Sequence, residues 1–242
     1  MGKGCGERIE ECEGKKMKPV MISFMGLDGS GKSTSIEYAY EQLKKRGYRV
    51  EIVRAAYVIK YMSIPIKLGK KILMKKKSNP FSGDYREYLE SMRKQAQKGG
   101  VYKIFSFFTT LEFKMQIFFK IRVNCMLGKI LLVDRYIYDN VVTYAANLDL
   151  DEKYMETTMN GKWKNAPRPE RIIYIKTPVE ICCSRKNDIP DPLYLEIRQP
   201  RYDKIAEMYN ATVIKGDQQK QQMLDEVMRV IDEVLPTTGS AK

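Results

Sequence analysis

At 242 residues, with 43% apolar and 30% charged side chains, the chain can bury a sizeable core and has the composition of one soluble domain. It has no histidine, which excludes imidazole-based mechanisms, and its five cysteines show no spacing that suits a zinc site or a redox pair. The net charge of +13 is unevenly placed: residues 57–104 hold 12 Lys and Arg against Asp84, Glu87 and Glu90, so an anionic partner is expected there.

Residues 1–18 have no apolar core between their charges and read as a frayed lead-in, not a secretory signal. Residues 19–25 (PVMISFM) form a short apolar run, predicted as a strand. It enters Gly26-Leu27-Asp28-Gly29-Ser30-Gly31-Lys32-Ser33, which satisfies G-x4-G-K-[ST]. Residues 32–46 then place Ile36, Ala39, Tyr40 and Leu43 at helical spacing before Gly47. Strand, glycine loop and helix are the context in which this motif holds phosphate: backbone N–H groups converge on the oxygens, and the helix N-terminus adds a favourable field. Gly26 to Thr34 are therefore expected to bind ATP, with Lys32 between the β- and γ-phosphates and the Ser33 hydroxyl on Mg²⁺.

Residues 49–55 (RVEIVRA) alternate as a second strand, and residues 57–100 read as an insertion after it. In that insertion Pro65 and Gly69 interrupt a basic segment, Ser78-Asn79-Pro80 makes a turn, and 84–98 is predicted as a polar helix. Val58, Ile59, Met62, Ile66, Ile72 and Leu73, interleaved with seven lysines, suit contact with a membrane surface or a polyanion. A long helix is predicted over 101–126, where Tyr102, Phe105, Phe108 and Phe113 either stack in an acceptor pocket or face the core. The hydrophobic stretch 101–133 is broken by Lys103, Glu112, Lys114, Lys120 and Arg122, so no transmembrane span is expected and the chain is placed in the cytoplasm.

Residues 129–133 (KILLV) form a buried-type strand that delivers Asp134 and Arg135 to the carboxyl edge of a sheet, where open α/β folds bind ligands. Asp134 either reaches Mg²⁺ through water or holds Arg135 in place. Strands at 171–175 and 211–214 and helices at 138–147, 178–186, 193–209 and 218–235 complete the pattern. The alternation predicts a P-loop NTPase-type three-layer α/β fold over residues 19–236, with a five-stranded, largely parallel sheet, helices on both faces and a tail at 237–242.

The phosphate loop, Asp134-Arg135-Tyr136 and the run TPVEICCSRKNDIPDPLYLEIRQPRYDKIAEMY together resemble the thymidylate kinase family, over roughly residues 20–235 with the insertion set aside. The resemblance implies transfer of the γ-phosphoryl group of ATP, with Mg²⁺, onto a nucleoside monophosphate, dTMP to dTDP. It implies that Asp28 approaches the acceptor's sugar and phosphate, that Arg54 clamps the acceptor phosphate, that Arg135 lies by the transferring group, and that Arg185 begins a mobile lid. Thr177 and Pro178 fall at the matching turn, although Ala55-Ala56-Tyr57 stand where the family has Glu-Pro-Gly. The expected catalytic set is then Lys32, Asp28, Arg135 and Arg185; the acceptor set is Arg54, Arg135, Phe108 and Tyr136; the metal set is Ser33 and Asp134. A small-molecule phosphate acceptor and a second copy of the chain, in a homodimer, are the expected partners.

Two positions depart from the family. Phe113, flanked by Glu112 and Lys114, stands where an arginine reads thymine, and Asp139 stands where a serine follows Asp-Arg-Tyr. A missing base-edge partner should change or broaden the acceptor. Other nucleoside monophosphates, nucleosides or sugar phosphates therefore remain alternatives, as does a P-loop ATPase or nucleotide-binding module whose basic arm holds a membrane or nucleic acid.

Overall fold

A computed structural model describes residues 19–54, 63–64, 84–97 and 99–235. The expected lead-in, the basic segment of the insertion apart from residues 63–64, and the C-terminal tail lie outside the described residues.

Strand β1 (Val20–Met25) leads into helix α1 (Lys32–Lys45) and strand β2 (Val50–Arg54). Helices α2 (Tyr85–Gln97) and α3 (Gly100–Gln116) follow, the latter running through a π-helical segment (Ile117–Arg122) into α4 (Val123–Met126). Strand β3 (Ile130–Asp134) precedes helices α5 (Ile137–Leu148) and α6 (Glu152–Asn160). Strand β4 (Arg171–Lys176), helices α7 (Val179–Arg185), α8 (Pro192–Glu196) and α9 (Gln199–Met208), strand β5 (Thr212–Lys215) and helix α10 (Lys220–Asp232) complete the order. All five strands pair in parallel, in the order β2-β3-β1-β4-β5.

Strand side chains alternate between faces, and a sheet covered on both sides needs apolar residues at every position. Val20, Ile22 and Phe24 of β1 pack with Ile130, Leu132, Ile173 and Ile175 under α1 and α10. Met21, Met25, Leu131, Val133 and Tyr174 face the other way, beneath the long helix, α5 and α9. Ile36, Ala39 and Leu43 are buried on α1 as their spacing predicts.

Three elements differ from the sequence expectation. Phe113, Ile117 and Ile121 are all buried on the long helix. Their four-residue spacing would drift by about 40° per step around an α-helix; the wider π turns wind back against that drift and keep them inward. The single helix expected over 193–209 is two, because Pro200 lacks an N–H for the Glu196 carbonyl and its ring would clash there. Helix α6 was not expected; Asp151 caps it, its carboxylate accepting from the Tyr154 N–H at 2.9 Å.

Among the described residues no helix is long and apolar enough to cross a membrane. Ile104, Phe107, Phe118, Phe119, Val123, Met126 and Leu127 nevertheless stand exposed along the outer side of α3, the π segment and the end of α4.

Phe113 belongs to the core, 4% exposed and edge-on to Trp163 with ring centroids 5.3 Å apart. Phe113→Ala should cost about 3–5 kcal/mol in a urea unfolding titration. Val213→Thr, at a side chain 52% exposed on the edge strand β5, should stay within about 0.5 kcal/mol.

Candidate active site

The parallel sheet gathers the carboxyl ends of β1, β3, β4 and β5 around one cleft of about 480 Å³, lined by Asp28 to Thr34, Asp134, Arg135, Arg185, Lys186, Gly216, Gln218, Lys220 and Met223. The structure thus brings together the loop, the Asp-Arg pair and Arg185, which lie up to about 160 residues apart in sequence.

The loop is built against its neighbours. A Cβ on Gly26, at φ +141°, would sit 2.5 Å from the Ile175 carbonyl oxygen, and one on Gly29, at φ +84°, 2.6 Å from that of Cys182. Neither position admits a side chain. Thr177 Oγ1 donates to the Ser30 carbonyl at 3.0 Å and fixes the loop to the end of β4. Leu27 is buried, while Ser33 stands exposed at the cleft.

Lys32 Nζ turns back into the loop, donating to the Gly26 carbonyl at 2.8 Å and the Leu27 carbonyl at 2.5 Å. Burial first, and then repulsion from Arg135, push its pKa down to about 8. An arriving phosphate must draw the ammonium from these two carbonyls, and its charge would favour the protonated form.

Arg135 occupies the centre. Its backbone is left-handed, at φ +57°, uncommon for any residue but glycine, Asn or Asp. Nη2 donates to Asp28 Oδ1, and Nη1 lies 3.9 Å from Asp139 Oδ1. Burial would lower the guanidinium, but Tyr202, Asp28 and Asp139 outweigh it and hold the pKa above its ordinary value. Burial would likewise raise Asp28, yet Arg135, Lys32 and the Tyr194 hydroxyl keep that carboxyl below the usual range.

Asp139 is buried and accepts from the Tyr202 hydroxyl at 2.7 Å, while its Oδ2 has no hydrogen-bond partner. Burial dominates here and raises its pKa to about 6 despite Arg135 and Lys32. The carboxylate that replaces a hydroxyl in the resembled family is therefore turned toward Arg135 and Tyr202.

The residues present fit Mg²⁺. Asp134 Oδ1 is buried without a hydrogen-bond partner, and Asp134 and Ser33 line the same cleft. A cation held mainly by phosphate and water needs only one or two such protein oxygens. Arg185 ends α7 and donates from Nη1 to the Gly216 carbonyl at 3.0 Å, which places it against β5 on the opposite wall.

The expected acceptor residues are less united. Arg54 pairs with Asp134 in the β2–β3 register, so β3 separates it from the phosphate loop. Its side chain is exposed, 3.9 Å from Glu37, and lines a second cleft with Phe119 and Lys120. Tyr136 is fully buried and donates to the Pro167 carbonyl at 2.9 Å, so its position is that of a core residue. Phe108 is half-buried and does not line the phosphate cleft.

Sequence reasoning missed Tyr194, Tyr202 and Arg198. The Tyr194 hydroxyl donates to Asp28 Oδ2 at 3.0 Å. Arg198 is buried, donating to the Tyr85 hydroxyl at 3.0 Å, the Tyr194 carbonyl at 2.6 Å and Asn147 Oδ1 at 2.7 Å. Its guanidinium also stacks 3.8 Å from the Tyr194 ring centroid. Helix α2 of the insertion is thereby tied, through Tyr85, to the residue that touches Asp28. An Arg and a Tyr four apart, flanked by Asp-Pro and Gln-Pro, were the available signal; the partners lie too far away in sequence to be read.

No family model matches the chain. It is similar to "Probable thymidylate kinase" of Sulfurisphaera tokodaii, 27% identical over 220 residues that cover 88% of this chain and 96% of that protein. It is also similar to "Probable thymidylate kinase 1" of Saccharolobus solfataricus, 23% identical over 222 residues, 89% of this chain and 98% of the relative.

Because the folded pKa of Asp139 lies above the ordinary 3.8, its contribution to stability is complete below about pH 4 and is lost as pH rises through about 6. Asp139→Asn should abolish that loss. Between pH 4 and pH 7 the wild-type chain should lose up to about 3 kcal/mol relative to Asp139→Asn in paired urea titrations.

Proposed function

We propose that the protein is an ATP- and Mg²⁺-dependent kinase that phosphorylates a nucleoside monophosphate, dTMP to dTDP. The reading rests on one observation: the phosphate loop, Asp134, Arg135 and Arg185 line a single cleft. The kinase names of two relatives that match along nearly their whole lengths support the same reaction class.

Phosphoryl transfer between two anions asks chiefly for alignment and charge neutralisation. Gly26 to Thr34 would hold the triphosphate of ATP, and Lys32 would exchange loop carbonyls for phosphate oxygens. Mg²⁺, held by Ser33 and Asp134, would supply further neutralisation of the phosphate charge. Arg135, already aimed by Asp28 and Asp139, would meet the charge that spreads over the group in transfer, and Arg185 would meet it from the opposite wall. Asp28 would place the acceptor through its sugar and phosphate, and Arg54, at the neighbouring strand end, would reach the acceptor phosphate from the far side of β3.

A second reading keeps the reaction and changes the acceptor. The observation that favours it is Phe113, closed into the core against Trp163 at the position expected to read thymine.

We also propose a cytoplasmic homodimer, paired through the exposed Ile104 and Phe107 of α3, with the basic segment 57–77 contacting a membrane surface or polyanion. Phe107→Glu should convert the dimer to monomer in light scattering; an unchanged mass would remove this interface.

An acceptor panel tests the activity. With ATP and Mg²⁺, ADP should form only when a nucleoside monophosphate is present, fastest with dTMP, and Lys32→Ala should lower kcat at least about 100-fold. A faster acceptor of another kind would select the second reading. Steady acceptor-free hydrolysis, stimulated by DNA or lipid, would overturn both.

A further inference from the structure

A third concave site lies away from both clefts described above, where the long helix meets the loop after α6. Its volume is about 250 Å³, and its walls include Lys114, Phe118 and Arg122 from the helix and Lys162, Trp163 and Pro167 from the loop. No acidic residue lines it, and among the described residues no carboxylate lies within 4.0 Å of the Lys114, Arg122 or Lys162 side chains.

Two of the three cations, Lys162 and Arg122, are held by neutral groups, and Lys114 is exposed. Lys162 Nζ lies 5.4 Å from the ring centroids of both Tyr144 and Trp163. Arg122 Nη2 donates to the Asn165 carbonyl at 3.0 Å. Burial, followed by repulsion from Lys114, pushes Lys162 down to about 8, as expected of a half-buried ammonium without an anion beside it. Trp163 adds an independent sign. It is 1% exposed, and its Nε1–H has no hydrogen-bond partner, whereas buried indole N–H groups usually find one.

We propose that this pocket is a second ligand site, for a small flat ring carrying a phosphate or carboxylate. Phe118, 52% exposed, and Pro167 offer apolar and aromatic surface to the ring, with Trp163 buried behind the wall, and Lys114, Arg122 and Lys162 offer three positive charges to the anion. The volume suits one ring and one anionic group, not a whole nucleoside triphosphate. The site is independent of the kinase reading, because none of its residues lines the phosphate cleft.

Trp163 is the chain's single tryptophan, so its fluorescence reports on the pocket directly. Phenyl phosphate and benzoate are titrated separately into the full-length protein, with benzyl alcohol as the neutral ring. At least one anion should give a saturable change in emission, and the stronger of the two identifies phosphate or carboxylate as the preferred group. Lys162→Gln and Lys114→Gln should each weaken that binding by about tenfold. Lys164→Gln, a neighbouring charge outside the pocket, should leave it within about twofold. Lys32→Ala, which disables the phosphate loop, should leave it unchanged. Equal response to benzyl alcohol, binding indifferent to Lys162 and Lys114, or no saturable response to either anion would overturn the proposal.

Discussion

The phosphate-loop cleft depends on one half-buried guanidinium. Arg135 sits on a left-handed backbone between two carboxylates, donating to Asp28 on one side and facing Asp139 at 3.9 Å on the other. Burying a charge is costly unless it is paired, and removing one partner leaves the other exposed to that cost. The pairing therefore fixes the phosphate loop, which carries Asp28, relative to the end of β3, which carries Arg135. Lys32 feels the same arrangement, since Arg135 helps to depress its pKa while Asp28 and Asp139 counter that effect. Aiming of the arginine before substrate arrives is the kind of preorganisation that phosphoryl transfer exploits.

A second network extends this constraint outward. Tyr194 reaches Asp28 from α8, and Arg198 beneath it gathers Tyr85 of α2 and Asn147 of α5. Arg198 is 4% exposed and, among the described residues, has no carboxylate within 4.0 Å, so its charge is carried by carbonyl, hydroxyl and ring dipoles. Through these contacts the helix of the insertion is mechanically continuous with the Asp28 carboxylate. A change in the position of α2 would be felt at Asp28 through two side chains.

Much of this was legible in the sequence because it is local. The glycine spacing of 26–33, the apolar strands and the amphipathic α1 each declare themselves within about ten residues, and the parallel sheet follows from their alternation. Asp134 and Arg135 were recognisable because a buried strand ends there. The partners of Arg135 were only half legible: Asp28 could be named from its loop, but the Tyr202 hydroxyl on Asp139 joins residues 63 apart. Tyr136 and Phe113 are both aromatic and close to chemistry in sequence, yet both turn inward: Tyr136, the extended residue that precedes α5, against Pro167, and Phe113, for which the core was one of two readings, against Trp163. Arg54 was placed correctly at a strand end, but only the sheet order reveals that β3 stands between it and the loop.

If Asp28 both places the acceptor and holds Arg135, the first role is read in KM and the second in kcat at saturating acceptor, where the two residues must behave as a unit. A double-mutant cycle in kcat with Asp28→Asn and Arg135→Lys, measured with ATP, Mg²⁺ and the best acceptor, tests this most directly. The double variant should be no slower than the slower single one, because breaking either side already releases the arginine. Losses that multiply across the two substitutions would show that Asp28 and Arg135 act separately, and would contradict this coupling.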